Sequence, residues 1–404
     1  MNDEKKNQYF SGNTNSFNVS NSYNSGGTFR RNGKPYPFPP GGFDLEKLLS
    51  ELPGMTAQGM PKPGIQPNLN GQNIINGVIV PGGGPSKVSS AEKPQWKMNV
   101  EIGHGTFGMV FVEQVEVQRH GATESELWAV KRIPKGVASF PADRYMEEIA
   151  LLGALKQNEL FVKFIKHTED SHHVYIAMEY LPLGDMSQSF KDKYKWGEHD
   201  AHVVIEQLIM GVAIMHKENI AHRDLKPENV FLWLPDPAQP VLRVKIGDFG
   251  TSKRVPVNNN TTFLNTTTGT CSYMAPEVDG NDTQSTYTRK VDVWALGCIL
   301  YRALTGEVPF QSRQDVWMYS MGIKSPLAGV ENIGLSQEAI DFLGATLQPK
   351  PRDRPSAEEC LKLPWIINKP SSPHFRIRED LHKRLKTRQA EDLAKMQEKI
   401  DRAT

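Results

Sequence analysis

Cysteine is scarce in this chain, with three in 404 residues, at Cys271, Cys298 and Cys360. They lie far apart and show no metal-ligand spacing, which argues against a disulfide framework or a zinc cluster and for a reducing compartment. An excess of one charge is also missing. Lys and Arg number 47 against 46 Asp and Glu, so there is no bulk attraction to nucleic acid or to a membrane, and neither is expected as a partner. Long apolar runs are absent too. The longest, Val293 to Tyr301, sits between Asp292 and Arg302 and is far too short to span a bilayer. No apolar stretch follows the charged start Met1–Lys6, so no signal peptide is expected. The expected location is the cytoplasm, with the nucleus open to the chain as well. No internal repeat is found.

What the chain does contain is unevenly spread. Residues 1–95 are dominated by Asn, Ser, Gly and Pro with scattered aromatics, a mixture that buries too little apolar surface to offset chain entropy, so disorder is expected there. One island differs: Phe43, Leu45, Leu48, Leu49 and Leu52 fall at helical spacing. It reads either as a chance cluster or as a short helix, 43–52, that docks in a partner's groove. From Trp96 the pattern turns to strand-like alternation, with Val110, Val112, Val115 and Val117 among polar residues, then Leu127–Arg132 and Val174–Tyr180. Between them Tyr145, Ile149, Leu152 and Leu155 mark a helix over Ala142–Leu155. Beyond about residue 184 helical periodicity prevails. The expectation is an α+β architecture over 96–367, a small β-rich lobe with one key helix followed by a larger, mostly helical lobe. A charged tail, 368–404, carries Ile377, Leu381, Leu385, Leu393, Met396 and Ile400 at amphipathic spacing. It reads as a solvated helix packed on the domain, with a regulatory or coiled-coil segment as the alternative.

Two local signals suggest chemistry. Gly103-His104-Gly105-Thr106-Phe107-Gly108 runs into Met109-Val110-Phe111-Val112, so these glycines open a strand and not a helix. In such a hairpin the backbone N–H groups can close over phosphate oxygens, because no Cβ holds them off; an ordinary Gly-rich turn is the alternative. Next, Lys131 in Ala129-Val130-Lys131 lies 23 residues past Gly108 among hydrophobic neighbours. A lysine pointing inward from a strand needs an anionic partner. On the Ala142–Leu155 helix, Glu148 precedes Leu152 by four residues and shares its face. Glu147 is the rival, about a hundred degrees round the axis.

The third signal is His222-Arg223-Asp224-Leu225-Lys226-Pro227-Glu228-Asn229, followed 24 residues after Asp224 by Asp248-Phe249-Gly250 and later by Ala275-Pro276-Glu277. With these motifs in order, the sequence resembles the Ser/Thr branch of the eukaryotic protein kinase family over about residues 97–367. The resemblance implies a two-lobed kinase fold and transfer of the γ-phosphoryl of ATP to protein Ser or Thr hydroxyls, with Mg2+ as the metal. By the same resemblance Asp224 orients the attacking hydroxyl, Lys226 contacts the γ-phosphate, Asn229 and Asp248 hold magnesium, and Thr270 braces Asp224 and Lys226. Ile102, Val110 and Ala129 would cover the adenine and Phe231 would underlie it. Met178 would be the gatekeeper, and the backbone of Glu179 and Leu181 would bond the adenine edge. Leu152, Phe164, His222 and Phe249 look like the family's regulatory spine, anchored by Asp292. Arg354 should pair with Glu277 in a buried ion pair.

Arg223, beside Asp224, offers the fork geometry that suits a phosphate. In similar kinases the loop from Asp248 to Glu277 is phosphorylated, and Thr266, with Thr267 and Thr268 close behind, falls at the usual site. Phosphate there would pair with Arg223 and Lys253, delivered by an upstream kinase or by trans-autophosphorylation. Glu228 would attract a basic substrate residue, whereas Arg302 stands where base-directed relatives are acidic. The stretches Arg119–Glu126 and Pro235–Pro240 read as lengthened surface loops. An ATP-binding pseudokinase scaffold and a small-molecule kinase are the alternatives. The full set Lys131, Asp224, Asn229 and Asp248 argues against the first, and Ala275-Pro276-Glu277 with Arg354 against the second.

Overall fold

The structure, a computed structural model, describes residues 96–105, 108–119, 121–136, 142–254, 271–278, 288–368 and 375–403, with five short strand segments before residue 80. In the unit formed by residues 1–41, Arg30–Arg31 pairs antiparallel with Lys34–Pro35. In the unit 42–404, Gln66–Pro67, Asn73–Ile75 and Val78–Ile79 make a small antiparallel sheet. The apolar island at 43–52 lies outside the described residues.

Five strands of the second unit form an antiparallel sheet: β1 (Val100–Gly105), β2 (Gly108–Arg119), β3 (Ala122–Pro134), β4 (Phe164–Glu169) and β5 (His173–Glu179), in the order β1-β2-β3-β5-β4. Here one expectation is corrected. Within Arg119–Glu126, Arg119 and Ala122–Glu126 are strand and not surface loop, because β2 and β3 run on until Arg119 pairs with Ala122 and Val115 with Glu126. The reason is local. Val115 and Val117 pack against the buried cluster of Trp96, Trp128 and Tyr175, and Gly121 supplies φ 83 for a tight turn. Pro235–Pro240 does lie between strands. Helix α1 (Ala142–Leu155) links β3 to β4 and buries Glu148, Ile149, Leu151, Leu152 and Leu155.

The helical lobe is built on α2 (Glu198–Lys217), which is buried over most of its length and so has no polar face. Two short hairpins follow. β6 (Ile220–Ala221) pairs with β9 (Lys253–Arg254), and β7 (Val230–Trp233) with β8 (Arg243–Ile246). Next come α3 (Lys290–Thr305), α4 (Arg313–Ser320), α5 (Gln337–Thr346), α6 (Ala357–Cys360) and α7 (Pro364–Ile367). A Cβ on Gly297 would stand 2.6 Å from the Thr346 hydroxyl oxygen, so glycine sets how closely α3 meets the end of α5. Cys298 and Cys360 are fully buried, and burial pushes both thiols up from their ordinary range. Arg354, also fully buried, donates through Nη1 and Nη2 to the two carboxylate oxygens of Glu277 at 2.9 and 3.2 Å, the expected pair.

The tail forms α8 (Glu379–Ala403), which buries Leu381, His382, Leu385, Gln389, Met396 and Ile400. Leu393, expected on the buried stripe, is 37% exposed. It sits between the stretch of the helix that packs on the helical lobe and the stretch that packs on the sheet. Among the described residues no helix is long and apolar enough to cross a membrane.

Candidate active site

Lys131 lies on β3, the middle strand of the sheet, with Val110 and Ile176 as its register partners on either side. Its Nζ is 2.7 Å from Glu148 Oε1 and 2.9 Å from Asp248 Oδ1, and its side chain is only 3% exposed. Burial alone would drive the ammonium to lose its proton. The Coulomb attraction of Asp248 and Glu148 more than offsets this, and the Lys131 pKa is raised. Burial pushes the Glu148 carboxyl up, helped by the charge of Asp248 and opposed by Lys131. The helical phase of α1 thus selects Glu148, not Glu147, as the partner of Lys131. Asp248, 19% exposed, is the open member of the trio.

Residues paired across antiparallel strands, and residues two apart along one strand, share a sheet face. Val110, Ala129, Lys131 and Met178 therefore occupy one face, since Val110 pairs with Lys131 and Met178 with Ala129. The β1–β2 hairpin pairs Gly103 with Val110, His104 with Met109 and Gly105 with Gly108. A Cβ on Gly108 would collide with the Arg132 carbonyl oxygen. Of His104 and Gly105 the strand backbone alone is described, and Thr106 and Phe107 lie outside the described residues. Ile102, on β1, is 39% exposed. After Met178 the chain crosses to the helical lobe. The Glu179 carboxylate accepts from Lys245 Nζ at 2.6 Å and from the Lys163 N–H at 2.6 Å. Leu181 is buried, and its carbonyl accepts from the Gly184 N–H at 2.9 Å. Below, Phe231 of β7 lies against Gly247, where a Cβ would stand 2.9 Å from its ring.

The second group of residues is on the loop after β6. Lys226 Nζ is 2.8 Å from Asp224 Oδ2, and Asn229 Nδ2 donates to the Asp224 carbonyl at 2.7 Å. The two groups are tied together by the Gly247 N–H, which donates to the Asn229 carbonyl at 3.0 Å, and by the β7–β8 pairing of Val230 with Ile246. Arg223 (φ 69) and Asp248 (φ 54) hold left-handed backbone, a strained state for residues with a Cβ. Asp292 secures the first. Its carboxylate accepts from the N–H groups of His222 and Arg223 at 2.9 and 2.8 Å, and it also pairs with His216 at 2.8 Å. The Arg223 guanidinium donates to the Thr251 carbonyl at 3.0 and 2.7 Å. His222 and Phe249 pack at 5.5 Å between centroids. Phe161, missed from sequence, is 6.0 Å from Phe249, while Phe164 stacks on His167 at 6.4 Å.

Thr270 and the threonines at 261–268 lie outside the described residues, as does the side chain of Lys253. Among the described residues no group of three or more His, Cys, Asp or Glu side chains is arranged to hold a metal. Asn229 and Asp248 offer two oxygen donors, which suits a hard cation that takes its other ligands from phosphate and water, as magnesium does. The donor set does not suit a soft transition metal.

A family model described as "Protein kinase domain" matches residues 96–366. Among curated proteins, "Serine/threonine-protein kinase RAD53" of Saccharomyces cerevisiae is 32% identical over 281 residues, covering 67% of this chain and 32% of that protein. A "Probable myosin light chain kinase" of Dictyostelium discoideum is 33% identical over 277 residues, covering 67% of this chain and 83% of the relative. A "Calcium/calmodulin-dependent protein kinase type 1" of Caenorhabditis briggsae is 28% identical, covering 76% and 81%. This chain therefore spans about a third of the yeast relative and most of the other two.

Proposed function

This chain belongs to the protein kinase family, and on that footing we propose that it transfers the γ-phosphoryl group of ATP to Ser and Thr hydroxyls of protein substrates. The observation that carries this reading is the meeting of Lys131, Glu148 and Asp248 within 2.9 Å, bonded through Gly247 and Asn229 to the Asp224–Lys226 pair. Phosphoryl transfer asks for in-line placement and for neutralisation of charge on the moving group. Lys131, fixed by Glu148, binds the α- and β-phosphates. Asp224, held by Lys226 and Asn229, orients the acceptor hydroxyl and takes its proton, and Lys226 meets the γ-phosphate as charge builds. Val110, Ala129 and Phe231 enclose the adenine, and the backbone of Glu179 and Leu181 bonds its edge. Asn229 and Asp248 would hold magnesium, which when bound neutralises phosphate charge. Relatives named as serine/threonine kinases support Ser and Thr as acceptors.

The test is transfer of labelled phosphate from ATP to a mixed protein substrate by the purified chain. Asp224→Ala should lower the rate about a hundred- to ten-thousand-fold, and chelation of magnesium should stop transfer until the ion is restored. Wild-type protein that transfers nothing after any activating treatment, or a fully active Asp224→Ala variant, would sink the reading and favour a nucleotide-binding scaffold. Activation rests on phosphate at Thr266, Thr267 or Thr268, delivered by an upstream kinase or in trans by a second copy, with Arg223 as the receiving cation. Unchanged activity in a triple Thr→Ala variant would remove this idea. Segment 43–52 would serve as a docking peptide, and the cytoplasm, with the nucleus, as the working compartment.

A further inference from the structure

We infer that α8 is a strut across the hinge of this kinase, and that Arg388 is a positioning residue for its nucleotide pocket. The inference rests on reading the cleft as a nucleotide site. At its start the tail is fixed to the helical lobe. The Arg378 backbone N–H and Nε donate to Asp200 of α2 at 2.8 and 3.0 Å, and Asp200 is fully buried. Halfway along, Arg388 Nη2 donates to the Leu183 carbonyl at 2.8 Å and Nη1 to the Ser189 hydroxyl at 3.2 Å. Leu183 lies two residues beyond Leu181, on the single stretch of chain that joins the sheet to the helices.

At its far end α8 reaches the sheet itself. Met396 and Ile400 are buried in one cluster with Val100 and Val112, against which Leu127 and Tyr180 also pack. The register makes this contact informative. Val112 pairs with Ala129 across β2 and β3, and Leu127 is two residues before Ala129 on the same strand. Met396 and Ile400 therefore press on the same sheet face that carries Val110, Ala129 and Lys131 over the nucleotide, one row nearer the hinge. Tyr180 stands between Glu179 and Leu181. Burial, then the charge of Asp392 on α8, pushes its hydroxyl pKa up to about 12. A single rigid helix thus holds the roof of the pocket, the hinge and the floor lobe in one relation. A helix that only covered the domain would need neither the hinge carbonyl nor this face of the sheet.

The test uses full-length protein carrying Arg388→Ala, Arg388→Lys, Met396→Ala with Ile400→Ala, and, as control, the exposed Lys395→Ala. Equilibrium binding of a fluorescent ATP analogue is measured alongside KM for ATP, KM for peptide and kcat. Arg388→Ala and the double variant should weaken nucleotide binding about two- to ten-fold, the reach of one lost hydrogen bond or contact. Peptide KM should stay put, Arg388→Lys should recover part of the loss, and Lys395→Ala should match wild type. Amide exchange in β1 and β2 should quicken in the double variant. If the double variant does not fold, the milder Ile400→Val gives the same comparison. Unchanged nucleotide affinity in folded variants, or a fall in kcat that only tracks the folded fraction, overturns the strut. Failure of wild type to bind any adenine nucleotide would instead overturn the kinase reading, and the strut with it.

Discussion

Asp292 shows how a single carboxylate holds the shape of the loop after β6. Burial pushes its pKa up, but the His216 hydrogen bond, the charges of His216 and His222 and the Arg223 N–H more than offset this, and the net shift is down. A carboxyl with a lower pKa folded than unfolded contributes stability above its unfolded value and loses it as pH falls through the folded one. The wild-type advantage over Asp292→Asn in unfolding free energy should therefore be full at neutral pH and shrink below about pH 4. Denaturant titrations at a series of pH values would check this; a constant difference would contradict it. At this scale much was readable beforehand. Glu148 stands out from Glu147 because helical phase separates adjacent residues widely and puts Glu148 on the face of Leu152. Phe161 does not stand out, since it and Phe164 are both apolar and three apart, and spacing does not say which ring meets Phe249.

Among the elements, the α3–α5 contact is set by the absence of a side chain. Gly297→Ala would put a methyl 2.6 Å from Thr346 Oγ1 and 2.9 Å from a Leu347 methyl. With both neighbours buried, overpacking should cost about 1–3 kcal/mol, read as a drop in urea midpoint at unchanged slope. A midpoint equal to wild type would mean the two helices part freely. The bounds of helix α1 follow from its stripe, because four apolar positions at consistent phase leave little room for another reading. The far end of the β2–β3 hairpin does not show in the sequence. Charged residues at 119, 124 and 126 hide a strand pairing whose only apolar support is Val115 and Val117 on the Trp96 and Trp128 cluster.

On the scale of the whole molecule, long-range pins matter most. Arg354 ties Glu277 to the Lys290, Gln348 and Pro349 carbonyls and stacks on Trp294. Arg354→Ala would break this buried ion pair and should cost about 3–5 kcal/mol, measured by equilibrium unfolding. A loss under about 1 kcal/mol would show that Glu277 finds water instead. This pin is legible because two motifs 77 residues apart in the chain name its partners. The strut α8 was legible only as an amphipathic helix. Its anchors are a backbone carbonyl and a sheet face, and neither leaves a mark in the local sequence. The two sealed sulfhydryls offer a clock for the same lobe. Cys298 and Cys360 sit on separate helices, out of reach of any alkylating reagent while the helices stay packed. Their capture rate in native buffer would time how often this half of the molecule opens, and would show whether α3 and α6 open together or one after the other.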